Sequence, residues 1–374
     1  MKFVVSSSLL SSRLQAAGRI INGKNTISIL DCFVFDIKGN VLTIVGSDNE
    51  NTLTTNVELV ESEKDIRICI NAKTIQDSIK EIPEQPLEFF VNEETNEITV
   101  VYQNGQFKIM AQSAENYPLP PAMSTEVNTM TANAEDLIAQ INRVQFATGN
   151  DTLRPVMNGC YLDANGDGLT IVASDGRKMA LVTLSNVTKE GNGAFILPKK
   201  PAAILRSLFN KEEGNLKITY DQRNALFSTE TSTLSCRLIE GRYPNYASVI
   251  PPNNPNEVSI NRTALLGALR RVLIFSSASS ALIRLQLNLG SLTVSSQNID
   301  FGMSAEESML CDYNGMPITI GFSGASLTEL LTNLESEEVT FKLADASRAG
   351  LVVPAEQPEG ISILMLLMPM MLTN

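Results

Sequence analysis

Three stretches of the chain repeat one spacing of apolar positions. MTANAEDLIAQI, from Met130, has apolar residues at Leu137 and Ile138 and continues with Ile141 and Val144. VSINRTALLGAL, from Val258, has them at Leu265, Leu266 and Leu269 and continues with Val272. Both follow the i, i+1, i+4, i+7 order of an amphipathic helix. FVVSSSLLSSRL, from Phe3, keeps Leu10, Leu14 and Ala17 in that register, and the three starts are 127 and 128 residues apart. Asn133 and Asn261 stand where N-caps belong.

Other landmarks recur at the same interval. An alternating, strand-like phrase reads LTIVGSDN from Leu42, LTIVASDG from Leu169 and LTVSSQN from Leu292. A second helix start follows each: INAKTIQDSIKEI from Ile70, LPKKPAAILRSLF from Leu197 and FSGASLTELLTNL from Phe322. Hairpin text comes next, in LEFFVNEETNEITVVY, LKITYDQRNALFSTE and VTFKLADASRAGLVV. Each copy closes on a proline, Pro118, Pro244 and Pro369. The pattern predicts an α+β chain of three repeats, each with two helices packed on antiparallel strands. Boundaries are expected in PLPPAMSTEVN and VIPPNNPNE, giving domains 1–122, 123–252 and 253–374.

The periodicity also interprets the apolar end, LMLLMPMMLTN. The run Ile361–Leu372 is about two-thirds of a membrane span and contains Pro369, so it is read as the last strand of a repeat and not as an anchor. The N-terminus has one Lys and a broken apolar run, which excludes a signal peptide on this reading. Five scattered cysteines without a CxxC point to buried thiols in a reducing, cytoplasmic setting.

A chain of 374 residues without His loses the commonest general acid–base and a frequent metal ligand. No catalytic constellation stands out, and neither a cofactor nor a metal is expected. DANGDG, from Asp163, opens like a calcium-binding loop, but the twelfth position is Ser174 and the flanks read as strands; hairpin turn chemistry explains it.

Net charge is −12, which opposes general attraction to nucleic acid. Its distribution changes that picture. Basic residues gather on the helices and their entry loops: Arg13, Arg19, Lys24, Lys73 and Lys80; Arg143, Lys199, Lys200 and Arg206; Arg262, Arg270 and Arg271. Acids crowd elsewhere, in VESEKD, VNEETNE and ESEE. The pattern is a basic helical lining within an acidic shell, from which ASLTELLTNLESEE departs by carrying no Lys or Arg.

In order and spacing, MKF, TISIL (Thr26–Leu30), MNGCYL and ASDGRKMAL (within Met157–Leu181), GRYPNYASVIP (Gly241–Pro251), IGF (Ile320–Phe322) and MPM (Met368–Met370) resemble the bacterial sliding clamps, the beta subunits of DNA polymerase III. The resemblance spans the whole chain. It implies a head-to-tail homodimer of clamp domains closed into a ring, with helices lining the hole through which duplex DNA threads without sequence preference. The basic residues above other than Arg262 then become phosphate contacts, Lys24 at a position usually basic in the family. Phe107 with Ile109, and Ile274 with Phe275, match the apolar pairs of the subunit interface.

A pocket for short peptide motifs is also implied, serving the polymerase III catalytic subunit, the clamp loader and repair polymerases. Its walls would be Arg154, Met157, Ser174, Gly176, Arg177, Lys178, Met179, Pro244, Ser248 and Val249, with Leu366, Leu367, Met368, Pro369, Met370, Met371 and Leu372 from the tail. Met371 replaces a residue that is often basic, and Ser248 stands where some members have Arg. The expected function is a non-enzymatic processivity factor that does not bind membrane. Two alternatives stay open: a three-repeat protein-binding scaffold that never encircles DNA, and a calcium-dependent secreted adhesin resting on DANGDG alone.

Overall fold

The structure, a computed structural model, describes residues 1–21, 25, 27–209 and 214–372. Among the described residues, six α-helices lie where the periodicity puts them: α1 (Ser7–Gly18), α2 (Ala72–Ile79), α3 (Ala134–Gln145), α4 (Lys199–Phe209), α5 (Arg262–Val272) and α6 (Gly324–Thr332). The predicted apolar positions of α1, α3 and α5 are all buried. Each of the Leu, Ile and Val side chains among them contributes about 1.5–3 kcal/mol by leaving water. Strand-to-helix junctions are capped by short polar side chains. Ser6 accepts from the Leu9 N–H, Asn71 from Thr74, Asn261 from Ala264 and Ser323 from Ser326. Each cap satisfies a peptide N–H that has no partner within its helix.

The chain forms two compact units, and the middle repeat contributes to both. The first comprises 1–135, 189–191 and 203–238; the second comprises 136–188, 192–202 and 239–374. In the first unit, Cys32–Lys38, Val41–Ser47 and Asn51–Glu58 pair in sequence, and Asn51–Glu58 then pairs with Ser232–Arg237. Thr55 lies opposite Ser232, and their buried hydroxyls meet at 2.9 Å. At the N-terminus Phe3 stacks on Phe89 of the neighbouring strand at 4.6 Å.

The second unit repeats the arrangement. Gly159–Asp163, Leu169–Ser174 and Lys178–Leu184 pair in sequence, and Lys178–Leu184 then pairs with Ile361–Leu367. DANGDG is the turn between the first two of these strands. A separate four-stranded sheet runs Met303–Leu310, Ser291–Asn298, Leu282–Asn288, Ile318–Ser323. Two joins between strands of different repeats, one in each unit, therefore organise the sheets.

The proline- and asparagine-rich stretch before residue 256 is fixed by a buried side chain. The Asn254 amide donates to the Lys342 and Ala349 carbonyls, both at 2.9 Å. Asn254→Ala strands both acceptors, and we expect a loss of about 1–3 kcal/mol, read from the midpoint of urea unfolding.

Four of the five cysteines are buried and Cys311 is half-buried; all are free thiols. Burial pushes Cys69, Cys160 and Cys236 from 9.0 up to about 12. Their folded pKa lies above the unfolded one, so unfolding releases protons at alkaline pH. Their stabilising contribution is complete below pH 9 and falls as pH rises toward 12. Urea midpoints measured across that window should decline, and less so in a variant with Cys160 and Cys236 replaced by Ala.

Candidate functional site: an apolar pocket in the second unit

A cavity of about 200 Å³ opens on the second unit. Its floor belongs to a packed cluster that includes Val172, Met179, Tyr243, Leu351 and Leu366. The strand Leu169–Ser174 leads into the turn Asp175–Arg177, which brings Ser174, Gly176 and Arg177 to the rim. The Asp175 carboxylate accepts from the Arg177 and Lys178 N–H groups at 2.8 and 2.9 Å. Gly176 has φ +88°, a left-handed conformation that favours glycine.

On the second side, a 3-10 turn at Pro155–Asn158 presents Met157, which is buried. Arg154 just before it holds Asp151 through its Nε at 2.8 Å, and this bond keeps the Asp151 carboxyl below its usual range. A third wall comes from Tyr243 to Val249. Tyr243 stacks on Tyr161 at 4.6 Å, Tyr246 meets Tyr161 edge-on, and the Tyr246 hydroxyl donates to Asp163 at 3.0 Å. The last strand supplies Leu366 and then runs out at Met368, whose N–H donates to the Arg177 carbonyl at 2.8 Å.

Walls of Met, Leu, Val and Tyr beneath a rim of Arg154, Arg177 and Lys178 suit an extended segment that inserts apolar side chains. Three methionines, Met157, Met179 and Met368, adapt to anchors of different shape. Lys178 is held by Glu329 of α6, lies 3.7 Å from Asp175 and sits 5.8 Å from the centre of the Phe146 ring. It is a braced part of the wall.

Of the residues named from the sequence, Arg154, Met157, Ser174, Gly176, Arg177, Lys178, Met179, Pro244, Val249, Leu366 and Met368 line this cavity. Six expected residues fall elsewhere. Ser248 turns its hydroxyl onto the Asn245 carbonyl at 2.7 Å. Leu367 is buried between Lys178 and Gly350 in the sheet. Beyond Met368 the tail leaves the pocket: the Met370 N–H reaches the Gly321 carbonyl at 2.7 Å, Met371 is 92% exposed, and Leu372 lies against Gly321 in another cavity. Pro369 is the bend between the two directions. The sequence reading missed Tyr243, Asn245 and Tyr246, which flank Pro244 in the same GRYPNY motif. The aromatic character of the two tyrosines was the available signal.

Of the basic candidates, Arg19, Lys73, Lys80, Arg206, Arg270 and Arg271 are exposed, while Arg13, Lys199 and Lys200 are half-buried. Arg143 departs from the expectation. Its side chain is 8% exposed and bonds Gln140 at 2.5 Å and Glu335 at 2.6 Å, so it fastens α3 to the segment after α6. Others have protein partners: Arg19 donates to the Ser207 carbonyl, Lys80 to Asp77 at 3.0 Å, Lys199 to Asn150 at 2.6 Å, and Arg271 makes a two-point contact with Glu307. Arg262 donates to the Leu331 carbonyl in the last turn of α6 and to the Ser336 carbonyl beyond it. Lys24 lies outside the described residues.

Phe107 and Ile109 sit half-buried on the strand Gly105–Ser113, while Ile274 is 72% exposed and Phe275 36% exposed on a 3-10 turn after α5.

Three family models match consecutive parts of the chain. They are the DNA polymerase III beta subunit N-terminal domain over residues 1–121, its central domain over 131–245 and its C-terminal domain over 247–371. The beta sliding clamp of Pseudomonas aeruginosa is 27% identical, covering 98% of this chain and 99% of the relative. That of Haemophilus influenzae is 27% identical with complete coverage of both. A solved structure of the Pseudomonas aeruginosa DNA polymerase sliding clamp with ligand superposes at TM-score 0.92, with 27% identity over all of both chains. A second structure from that organism, bound to griselimycin, gives 0.92 at 26% identity, also over all of both chains.

Proposed function

The chain belongs to the DNA polymerase III beta subunit family, the beta sliding clamps, and we propose on that premise that it closes around duplex DNA as a head-to-tail homodimer and tethers replication proteins through the pocket. It is a DNA sliding clamp by function. On this reading it contributes processivity and performs no bond chemistry of its own. Three domains at 1–122, 123–252 and 253–374 form the working division, in accord with the spans of the family matches.

The observation that carries the proposal is a pair of unmatched strand edges. The join of Asn51–Glu58 to Ser232–Arg237 and that of Lys178–Leu184 to Ile361–Leu367 each connect one repeat to the next. The corresponding strands of the third and first repeats are Met303–Leu310 and Gly105–Ser113. Among the described residues, Met303–Leu310 pairs only with Ser291–Asn298. Gly105–Ser113 pairs with Glu97–Tyr102 along 105–110 and with Ile66–Asn71 only at 111–113. A second copy supplies what each edge lacks. Phe107 and Ile109 on one edge, with Ile274 and Phe275 for the other subunit, provide apolar contact at this closure.

Sequence-independent phosphate contacts by Arg13, Arg19, Lys24, Lys73, Lys80, Lys199, Lys200, Arg206, Arg270 and Arg271 fit a duplex that slides. Partners read by the pocket include the polymerase III catalytic subunit, the clamp loader and repair polymerases, through short apolar motifs. The same pocket would take griselimycin. The setting is the cytoplasm; no helix among the described residues is long and apolar enough to cross a membrane.

Loaded onto a nicked circular duplex by a clamp loader, the protein should remain bound through gel filtration and be lost when the circle is cut. Equal loss from circular and linear DNA would refute encirclement. Ile274→Ala with Phe275→Ala should weaken self-association about tenfold or more, read by sedimentation, with griselimycin binding retained. An unchanged dimer would remove these residues from the interface.

A further inference from the structure

The IGF motif contains a glycine that neither the core nor the backbone requires. Ile320 and Phe322 are buried core residues. Gly321 between them lies in the strand Ile318–Ser323 without a left-handed φ. What distinguishes the position is the chain that passes over it. A Cβ on Gly321 would stand 2.6 Å from the Met370 carbonyl oxygen and 2.7 Å from Leu372 Cδ2. Carbon atoms do not approach a backbone oxygen that closely, so any side chain here displaces the tail.

That tail is held at two points. The Met368 N–H donates to the Arg177 carbonyl at 2.8 Å, and the Met370 N–H donates to the Gly321 carbonyl at 2.7 Å. Pro369 stiffens the link between them. Leu372 forms the far anchor, in a cavity of about 500 Å³ that it shares with Leu282 and Arg284. Met368 lies beyond the end of the strand Ile361–Leu367 and is 41% exposed. The sheet therefore does not set its position; the two pins do.

We infer that Pro369–Leu372 is a strap that positions the Met368 wall of the pocket, and that Gly321 is the positioning residue that admits it. The inference rests on the pocket reading above and adds residues outside the pocket to the set that determines affinity. It also gives the four tail residues that leave the lining a role in binding.

The test is calorimetry with griselimycin, accompanied by sedimentation and urea unfolding. Gly321→Val should weaken binding about tenfold or more, and Gly321→Ala less, with the dimer intact. A chain ending at Met370 removes the Leu372 anchor and should weaken binding by about threefold or more. Gly324→Ala serves as a packing control. Its Cβ would meet Leu273 and Ile283 side chains and not the tail, so it should lower the unfolding midpoint and leave affinity unchanged. Met157→Ala checks the pocket itself and should weaken binding.

If Gly321→Val and the shortened chain bind within about twofold of the parent while Met157→Ala binds worse, the strap is refuted and the pocket stands. If Met157→Ala also binds like the parent, the pocket reading fails and the strap with it. Equal losses in Gly324→Ala and Gly321→Ala would mean general softening of the third repeat, and would overturn the assignment. Should Gly321→Val not fold, the shortened chain decides alone.

Discussion

A strand at the border of a sheet carries N–H and C=O groups that look outward without partners, and water or another strand must satisfy them. In this chain that requirement joins one repeat to the next. Asn51–Glu58 and Ser232–Arg237 complete each other, and so do Lys178–Leu184 and Ile361–Leu367. The bonds are between backbones, so the joins tolerate wide divergence in side chains. Thr55 and Ser232 fill one with hydroxyls, whereas Val182 and Ile363 fill the other with hydrocarbon. Three repeats joined this way leave over, among the described residues, the edges of Met303–Leu310 and Gly105–Ser113, and edges bearing Phe107 and Leu310 are costly to leave in water. The same constraint that orders the sheets gives the proposed homodimer its reason.

The pocket is a consequence of the second join. Pairing Lys178 with Leu367 and Met179 with Leu366 brings the Asp175–Arg177 turn beside the point where the last strand ends. Strand order thus places Met179 and Leu366 side by side, and the Pro155–Asn158 turn and the pinned tail bring Met157 and Met368 to the same hollow. The tyrosines keep it open: Tyr243 and Tyr161 stack in nearly parallel planes, and the Tyr246 hydroxyl is tied to Asp163. Burial, followed by the charge of Asp163, pushes that hydroxyl up to about 12, so the tie persists across the physiological range. A wall braced from behind loses less side-chain entropy when a peptide docks.

Much of the fold was legible because it is periodic. Leu137, Ile138, Ile141 and Val144 announce α3 through spacing alone, and the repeated phrases fix where strands recur. The resemblance in ASDGRKM pointed to Ser174, Gly176, Arg177, Lys178 and Met179, which line the cavity. What stayed hidden depends on direction in space. MPMML reads as one apolar run, yet Pro369 turns its second half onto Gly321. Arg143 reads as another basic residue on a helix, yet its partner Glu335 is remote in sequence, and together they make a structural tie. Tyr243 and Tyr246 were in view but unassigned, because a motif does not show which of its residues face inward.

The cations bear on how such a protein could hold DNA. Arg271 is engaged by Glu307, Lys80 by Asp77 and Arg143 by Glu335. A guanidinium already bound to a carboxylate must exchange partners to take a phosphate, so the net gain per contact is smaller than for a free cation. The helix α6 adds none, since it carries Glu329 and neither Lys nor Arg. An overall charge of −12 adds repulsion at long range. Retention by affinity would need many strong phosphate contacts, each increasing the dependence on salt. Retention by encirclement needs only contacts weak enough to break as the duplex moves. Partly neutralised cations within an acidic protein meet the second requirement far better than the first.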